Sequence, residues 1–336
     1  MRREKFICAL AVLLVLLLCG CGGGGSKPES DAAQPPEETE AAPAEDELLE
    51  DGDVPLTVFF SEPEGDFEPY EAPPFLDAEY HEDAAEGENG AMLDLSCVSQ
   101  GYIGVSAVSD SRLKFQVVKG EEKYTYDIAS DGEPSIFPLQ CGDGEYRFRF
   151  MENVADSKYA ELYARSCDVT LDDPFQPYLR PSDYVDYSRD SLCVEKAAEL
   201  AAAVPDALGV VSRVFDLVTS TVVYDREKAA NMQAGYLPEP DETMTTGKGI
   251  CFDYASLAAA MLRSQGIPTK VIFGYVSPND VYHAWNMFYT EQTGWVTVSY
   301  EVSPDSWNRL DLTFSAGGAD DQFVGDGENY SDVYFY

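Results

Sequence analysis

Histidine is almost missing from this chain: His81 and His283 are the only two in 336 residues. That excludes zinc or copper sites built on several imidazoles, and leaves two candidates for any mechanism that uses one. Basic charge is scarce as well, with 22 Lys and Arg against 61 Asp and Glu, for a net charge of −39. A polyanion of that size repels phosphate backbones, which excludes nucleic-acid binding. No apolar run reaches the about 18 residues expected of a membrane-spanning helix, and no internal repeat is present. The cysteines beyond the N-terminal segment follow no metal-ligand spacing, and the acidic tail from Gly317 to Glu328 lacks the regular ligands of an EF-hand loop. No metal and no other cofactor is expected. Cys97, Cys141, Cys167 and Cys193 are expected as free thiols, with a Cys97–Cys141 disulfide as the alternative in an exported protein.

What is present is enough apolar material for a core, 45% hydrophobic and 12% aromatic residues, in a length that allows one or two domains plus tails. Arg2, Arg3 and Lys5 precede an apolar run from Phe6 to Leu18, a pattern that reads as an export signal. The run ends in Leu18-Cys19-Gly20-Cys21, which resembles the lipobox of bacterial lipoproteins. That resemblance implies a signal peptide over 1–21, a diacylated Cys21, and a protein held at the bacterial cell surface on the outer face of the plasma membrane through its lipid anchor.

Residues 22–90 are rich in Glu, Asp, Pro, Ala and Gly. Too little apolar surface is available there to offset ordering entropy, so this stretch is expected to be an acidic disordered tether. Over 91–180 the pattern becomes period-two runs, among them Leu113 to Val118, Tyr124 to Ile128 and Tyr146 to Phe150, separated by Gly-containing turns. They predict a small antiparallel β-sandwich of immunoglobulin-like type. Asp172 to Tyr178, with two prolines, reads as a linker. From Ser191 the period is helical: Val194, Ala197, Ala198 and Ala201 share one face, and Val211, Val214, Phe215 and Val218 another. Arg226 to Lys248 reads as a loop, Cys251 to Gln265 as a third helix stopped by Gly266-Ile267-Pro268, and the remainder as strands. Helices followed by strands predict an α+β domain over 181–336.

The chemistry concentrates in Gly247-Lys248-Gly249-Ile250-Cys251-Phe252-Asp253-Tyr254. A cysteine in the first turn of a helix meets unpaired amides and the positive end of the helix dipole, both of which favour thiolate, and the glycines leave amides able to face an oxyanion. A thiolate nucleophile benefits from an imidazolium partner. His283, in Tyr282-His283-Ala284-Trp285, is the histidine outside the tether. Asp311, on a following strand, is the carboxylate that would orient its ring, with Asp305 or Glu301 as alternatives. Tyr236, in the loop before the nucleophile, and Trp285 are candidate cleft residues, although Trp285, like Trp295, also reads as a strand-packing aromatic.

These strings, with Met261-Leu262-Arg263-Ser264-Gln265-Gly266-Ile267-Pro268 between them and Asp311 and Thr313 after them, make the stretch from Tyr224 to Phe314 similar to the core domain of the transglutaminase-like superfamily. The resemblance implies a papain-like fold with Cys251 as nucleophile, His283 as general acid/base and Asp311 as orienting carboxylate. Leu312 stands where the family often has proline. The implied activity is that of a cell-surface cysteine acyltransferase, which forms a thioester from a protein or peptide carbonyl and passes it to an amine or to water. The alternatives are a cysteine protease or amidase acting on peptides or cell-wall peptides, and a catalytically silent surface binding protein.

Overall fold

In a computed structural model, residues 66–276, 281–302, 310–316 and 330–336 are described. The signal segment with Cys21, the first part of the tether, Asp305 and the acidic tail lie outside the described residues. The described residues all fall within one unit, residues 32–336.

The period-two runs form two four-stranded antiparallel sheets. The first has the order β1-β2-β3-β6, with β1 Glu86–Glu88, β2 Ala91–Asp94, β3 Tyr102–Ala107 and β6 Ser135–Pro138. The second has the order β5-β4-β7-β8, with β4 Leu113–Lys119, β5 Glu122–Ile128, β7 Gly144–Ala155 and β8 Lys158–Val169. Alternation decides which face is inside. On β7, Tyr146, Phe148 and Phe150 are fully buried, whereas the outward Arg147 and Arg149 hold Glu161 of β8 at 3.1 and 2.8 Å. The sheets meet where Phe137 of β6 stacks on Phe115 of β4 and Tyr126 of β5, with ring centroids 5.5 and 4.1 Å apart. Each such aromatic contributes about 1.5–3 kcal/mol by leaving water.

The stretch read as a linker is laid on the next sheet instead. Phe175 and Tyr178 pack against Trp295 at centroid distances of 5.8 and 5.6 Å, on a short 3-10 turn, Gln176–Tyr178, that holds Pro177. Residues 66–90 are also held. The Tyr70 amide donates to the Val204 carbonyl at 2.7 Å and its hydroxyl to the Gln265 carbonyl at 3.0 Å, and Arg180 donates to the Asp77 carbonyl. Pro73 lies so close to Gly266 that a Cβ there would meet its Cγ at 2.0 Å, and Gly266 has φ +74°. The helix stop and the docking of this strap therefore need the same glycine. His81 is pinned as well, its Nδ1 3.0 Å from the buried Asp94 carboxylate. A chain starting at residue 91 is expected to melt about 5 °C or more below one starting at residue 66, in a scanning calorimetry comparison, because these contacts are lost together.

Helices α1 (Leu192–Ala201) and α2 (Ala207–Thr221) follow. Val211, Val214, Phe215 and Val218 are buried as the period requires, while on α1 Ala198 is exposed and Cys193 is buried. Arg226 to Lys248, expected as a loop, holds two short helices, α3 (Arg226–Asn231) and α4 (Pro240–Thr246), and the short parallel pair β9 (Val223–Tyr224) and β10 (Lys248–Gly249). Six and seven residues are too few to display a helical period, and the signals that set these helices are end signals. Asp225 accepts from the Lys228 amide at 2.8 Å to cap α3, and Pro240 opens α4 while Gly247 closes it at φ 62°.

Helix α5 (Cys251–Ser264) lies against a five-stranded antiparallel sheet of order β14-β13-β12-β11-β15. Its strands are β11 (Thr269–Val276), β12 (Val281–Thr290), β13 (Gly294–Val302), β14 (Leu310–Ala316) and β15 (Tyr330–Phe335). Ala255, Ala258, Ala259 and Ala260 are fully buried; their small side chains let the helix backbone approach the sheet, and Asn286 of β12 donates across the gap to the Ala255 carbonyl at 3.0 Å. One hydrophobic core runs from the β-sandwich through α1, α2 and α5 into this sheet.

Candidate active site

The nucleophile candidate stands where a turn is tightly determined on both sides. Gly249 precedes it because a Cβ at that position would meet the Cβ of Asp253 at 2.6 Å. Asp253, the third residue of α5, accepts from the Ile250 amide at 2.7 Å, which satisfies a donor that the helix start leaves open. Cys251 is half-buried between them.

His283 of β12 faces Cys251 and hydrogen-bonds its sulfur. Burial pushes the Cys251 thiol up; the His283 ring, together with the amides of Ala284 and Phe252, outweighs that and holds the thiol below its ordinary value. Among the other described thiols, Cys97 also meets an imidazole, its sulfur 4.0 Å from His81 Nδ1, whereas Cys141 and Cys193 are raised. Burial pushes Cys141 up to about 11 and raises Cys193 strongly. All five described cysteines are free, Cys97 and Cys141 included.

Asp311 lies on β14 and pairs with Glu301 of β13. The last pair between β13 and β12 is Asn286–Val298, and three residues on from each member come His283 and Glu301. His283, Glu301 and Asp311 are therefore at one end of the same sheet, on successive strands. Glu301 and Asp311 are described by their backbone alone.

Trp285 is fully buried on the sheet face away from α5, packed with Ile272 and Met287 and against Trp295, and its ring stacks near that of His283 at 6.5 Å. Buried in that cluster on the strand face it shares with His283, Trp285 sits as the strand-packing alternative expected. Tyr236 packs its ring edge-on to Phe252 at 6.3 Å and lines a cavity of about 620 Å³ with Asp225, Lys228, Asn231, Glu242 and Lys248 among others. Cys251 is not among the residues that line this cavity.

Sequence reasoning did not single out Asp253, Lys228, Tyr224 or Tyr282. Lys228 Nζ reaches Asp253 at 2.8 Å, and the Tyr236 hydroxyl donates to the same carboxylate. Tyr224 and Tyr282 both border Cys251, and burial, then neighbouring groups including that thiol, raise their phenols. Asp253 was legible as a carboxylate three residues after a helix N-cap; the pairing of Lys228 across the chain was not.

Residues 194–300 match the sequence profile of the Transglutaminase-like superfamily. A protein-glutamine gamma-glutamyltransferase of Pseudomonas aeruginosa is 30% identical over 107 residues, covering 28% of this chain and 15% of that enzyme's own length. Among solved structures, a proposed cysteine protease from Cytophaga hutchinsonii is similar at 16% identity and a TM-score of 0.35, over 70% of this chain and 86% of the other. A transglutaminase from red sea bream is similar at 14% identity and a TM-score of 0.26, over 59% and 48%. The matched stretch contains both the helix-borne thiol and the imidazole that faces it: residues 194–300 are a transglutaminase-like domain.

Proposed function

We propose that this chain is a cysteine acyl-transfer enzyme of the cell surface, with Cys251 as nucleophile, His283 as acid and base, and Asp311 behind the ring. The observation that carries the reading is the hydrogen bond between the His283 ring and the Cys251 sulfur, at a helix start that favours negative charge.

In the first half-reaction the Cys251 thiolate attacks the carbonyl carbon of a glutamine carboxamide or peptide. The amide at the head of α5, which has no partner within the helix, is the donor that would meet the developing oxyanion. His283 gives its proton to the departing ammonia or amine, and a thioester remains. In the second, His283 takes a proton from an acceptor amine or water as that group attacks the thioester, and the thiolate leaves. An acidic molecule attracts basic acceptors, so lysine-bearing proteins are the favoured amine donors. On this reading a lipid on Cys21 tethers the enzyme, and residues 91–180 form an immunoglobulin-like spacer between membrane and active site.

The test is incubation of the full chain with a glutamine-containing peptide and a labelled primary amine, alongside Cys251→Ala. Label incorporation with ammonia release, lost in the variant, is the expected outcome. Cleavage or deamidation of the peptide without incorporation moves the acceptor to water. An intact peptide under all conditions, with Cys251 no more reactive than the other thiols, leaves a surface binding protein.

A further inference from the structure

The Cys251 turn is bracketed from one side by α3. Two residues before the nucleophile, the Gly249 carbonyl accepts from the Asp225 amide at 2.8 Å. Two residues after it, Asp253 accepts from Lys228 at 2.8 Å. Asp225 in turn caps the helix that carries Lys228, accepting its amide at 2.8 Å. Asp253 is fully buried, and a buried carboxylate in the first turn of α5 competes with the thiolate for the same positive helix end.

We propose that Lys228 and Asp253 form a charge-balanced clasp that positions Cys251: the carboxylate fixes the turn through the Ile250 amide, and the ammonium cancels the negative charge that this would otherwise bring beside the nucleophile. The proposal rests on Cys251 being that nucleophile. Both residues are positioning residues, since neither is placed at the reacting atoms.

Lys228 is the cation seen in contact with the Asp253 carboxylate, while Lys248 lines the same cavity as Lys228 and Tyr236. Asp253 is faced by Tyr224 of β9, Tyr236 of the α3–α4 connection and Tyr254 of its own helix. Arg226 lies near Tyr224, and Glu239 and Glu242 lie near Tyr236. Cys251 itself is faced by His283 and Tyr282 of β12 and by Tyr224. The Lys228 ammonium is in direct contact with the carboxylate, and it also sits over the Tyr236 ring at 4.5 Å.

The experiment is the rate of Cys251 alkylation by iodoacetamide against pH, in the full chain and in Lys228→Met, Asp253→Asn, the double variant and Lys228→Arg. The balance fixes the signs. Lys228→Met leaves a negative charge beside the thiolate, so its pH midpoint moves up and alkylation at pH 7 slows about three- to tenfold. Asp253→Asn keeps an acceptor for the Ile250 amide but leaves the ammonium alone, so the midpoint moves down and alkylation quickens. The double variant and Lys228→Arg return to within about twofold of the wild type. A clasp with a merely structural role would slow alkylation in both single variants, and that result, or no movement in either, overturns the proposal. If Lys228→Met does not fold, Asp253→Asn decides by its sign alone. A wild-type Cys251 no more reactive than Cys141 or Cys193 overturns the nucleophile reading itself; a reactive Cys251 that Asp253→Asn slows overturns the clasp and leaves that reading standing.

Discussion

Replacing His283 with Ala is expected to lower turnover by about a thousandfold or more and to slow alkylation of Cys251 at pH 7 by at least about tenfold. Both effects come from one imidazole. In the free protein the His283 ring is the largest favourable influence on the thiolate, set against burial that pushes the thiol up. With the ring gone the burial remains, so the thiol titrates at higher pH and the thiolate population at neutral pH falls. During turnover the loss is greater, because the leaving amine has no proton donor and the acceptor no base. The sign can be read from two curves. The wild-type alkylation rate should rise to its plateau at lower pH than an ordinary cysteine, and the variant's curve should be displaced to higher pH. Cys251→Ala, by comparison, should remove activity outright.

The second large effect lies away from the chemistry. Arg263, in the last turn of α5, is 2% exposed. Its guanidinium donates to the carbonyls of Thr269 at 2.8 Å, Arg180 at 2.9 Å and Tyr336 at 2.9 Å. It therefore joins the end of the nucleophile's helix to the start of β11, to the chain leaving the β-sandwich and to the residue after β15. Burial lowers its basicity to about 10, an effect that Tyr187 and Tyr178 oppose, so the side chain stays charged at neutral pH. Arg263→Met keeps much of the volume but strands three buried carbonyls. The expected cost is at least about 3 kcal/mol, or about 8 °C or more in melting temperature for a folded region of this size. Chemical denaturation with matched slopes checks it. A loss below about 1 kcal/mol would mean that water reaches those carbonyls. Arg263→Lys, with one point charge in place of a planar fork, should recover only part.

Arg263 also marks the limit of what the sequence discloses. It stands inside one of the strings that carried the family resemblance, yet nothing in its spacing reveals that it binds three carbonyls from segments up to 83 residues away. The β-strands of the sandwich were legible because a half-buried strand writes its inside and outside faces into alternate residues, as Tyr146, Phe148 and Phe150 do. Helix α5 was legible from Ala255, Ala258 and Leu262 and from the glycine and proline that stop it. Helices α3 and α4 were not, being shorter than the window in which a period emerges. Nor was the docking of residues 66–90, whose composition is polar while its few aromatics and prolines, Tyr70, Pro73 and Phe75, make the contacts. At the site, a cysteine after flexible glycines and a scarce histidine could be found by residue type and order alone. Trp285 could not be assigned to cleft or core without knowing which face of β12 meets α5. Lys228 could not be paired with Asp253 at all, because the partnership joins two helices through space.

The most direct measurement of the central claim is peptide mapping by mass spectrometry of the native full chain after brief exposure to iodoacetamide over a range of pH. Cys251 is expected to label first, with a midpoint below the ordinary thiol value of about 8.5, while Cys141 and Cys193, which burial pushes up, label slowly even at alkaline pH. Labelling of Cys251 at the rate of those two thiols, or with a midpoint above the ordinary value, would contradict an imidazole-supported thiolate at the head of α5.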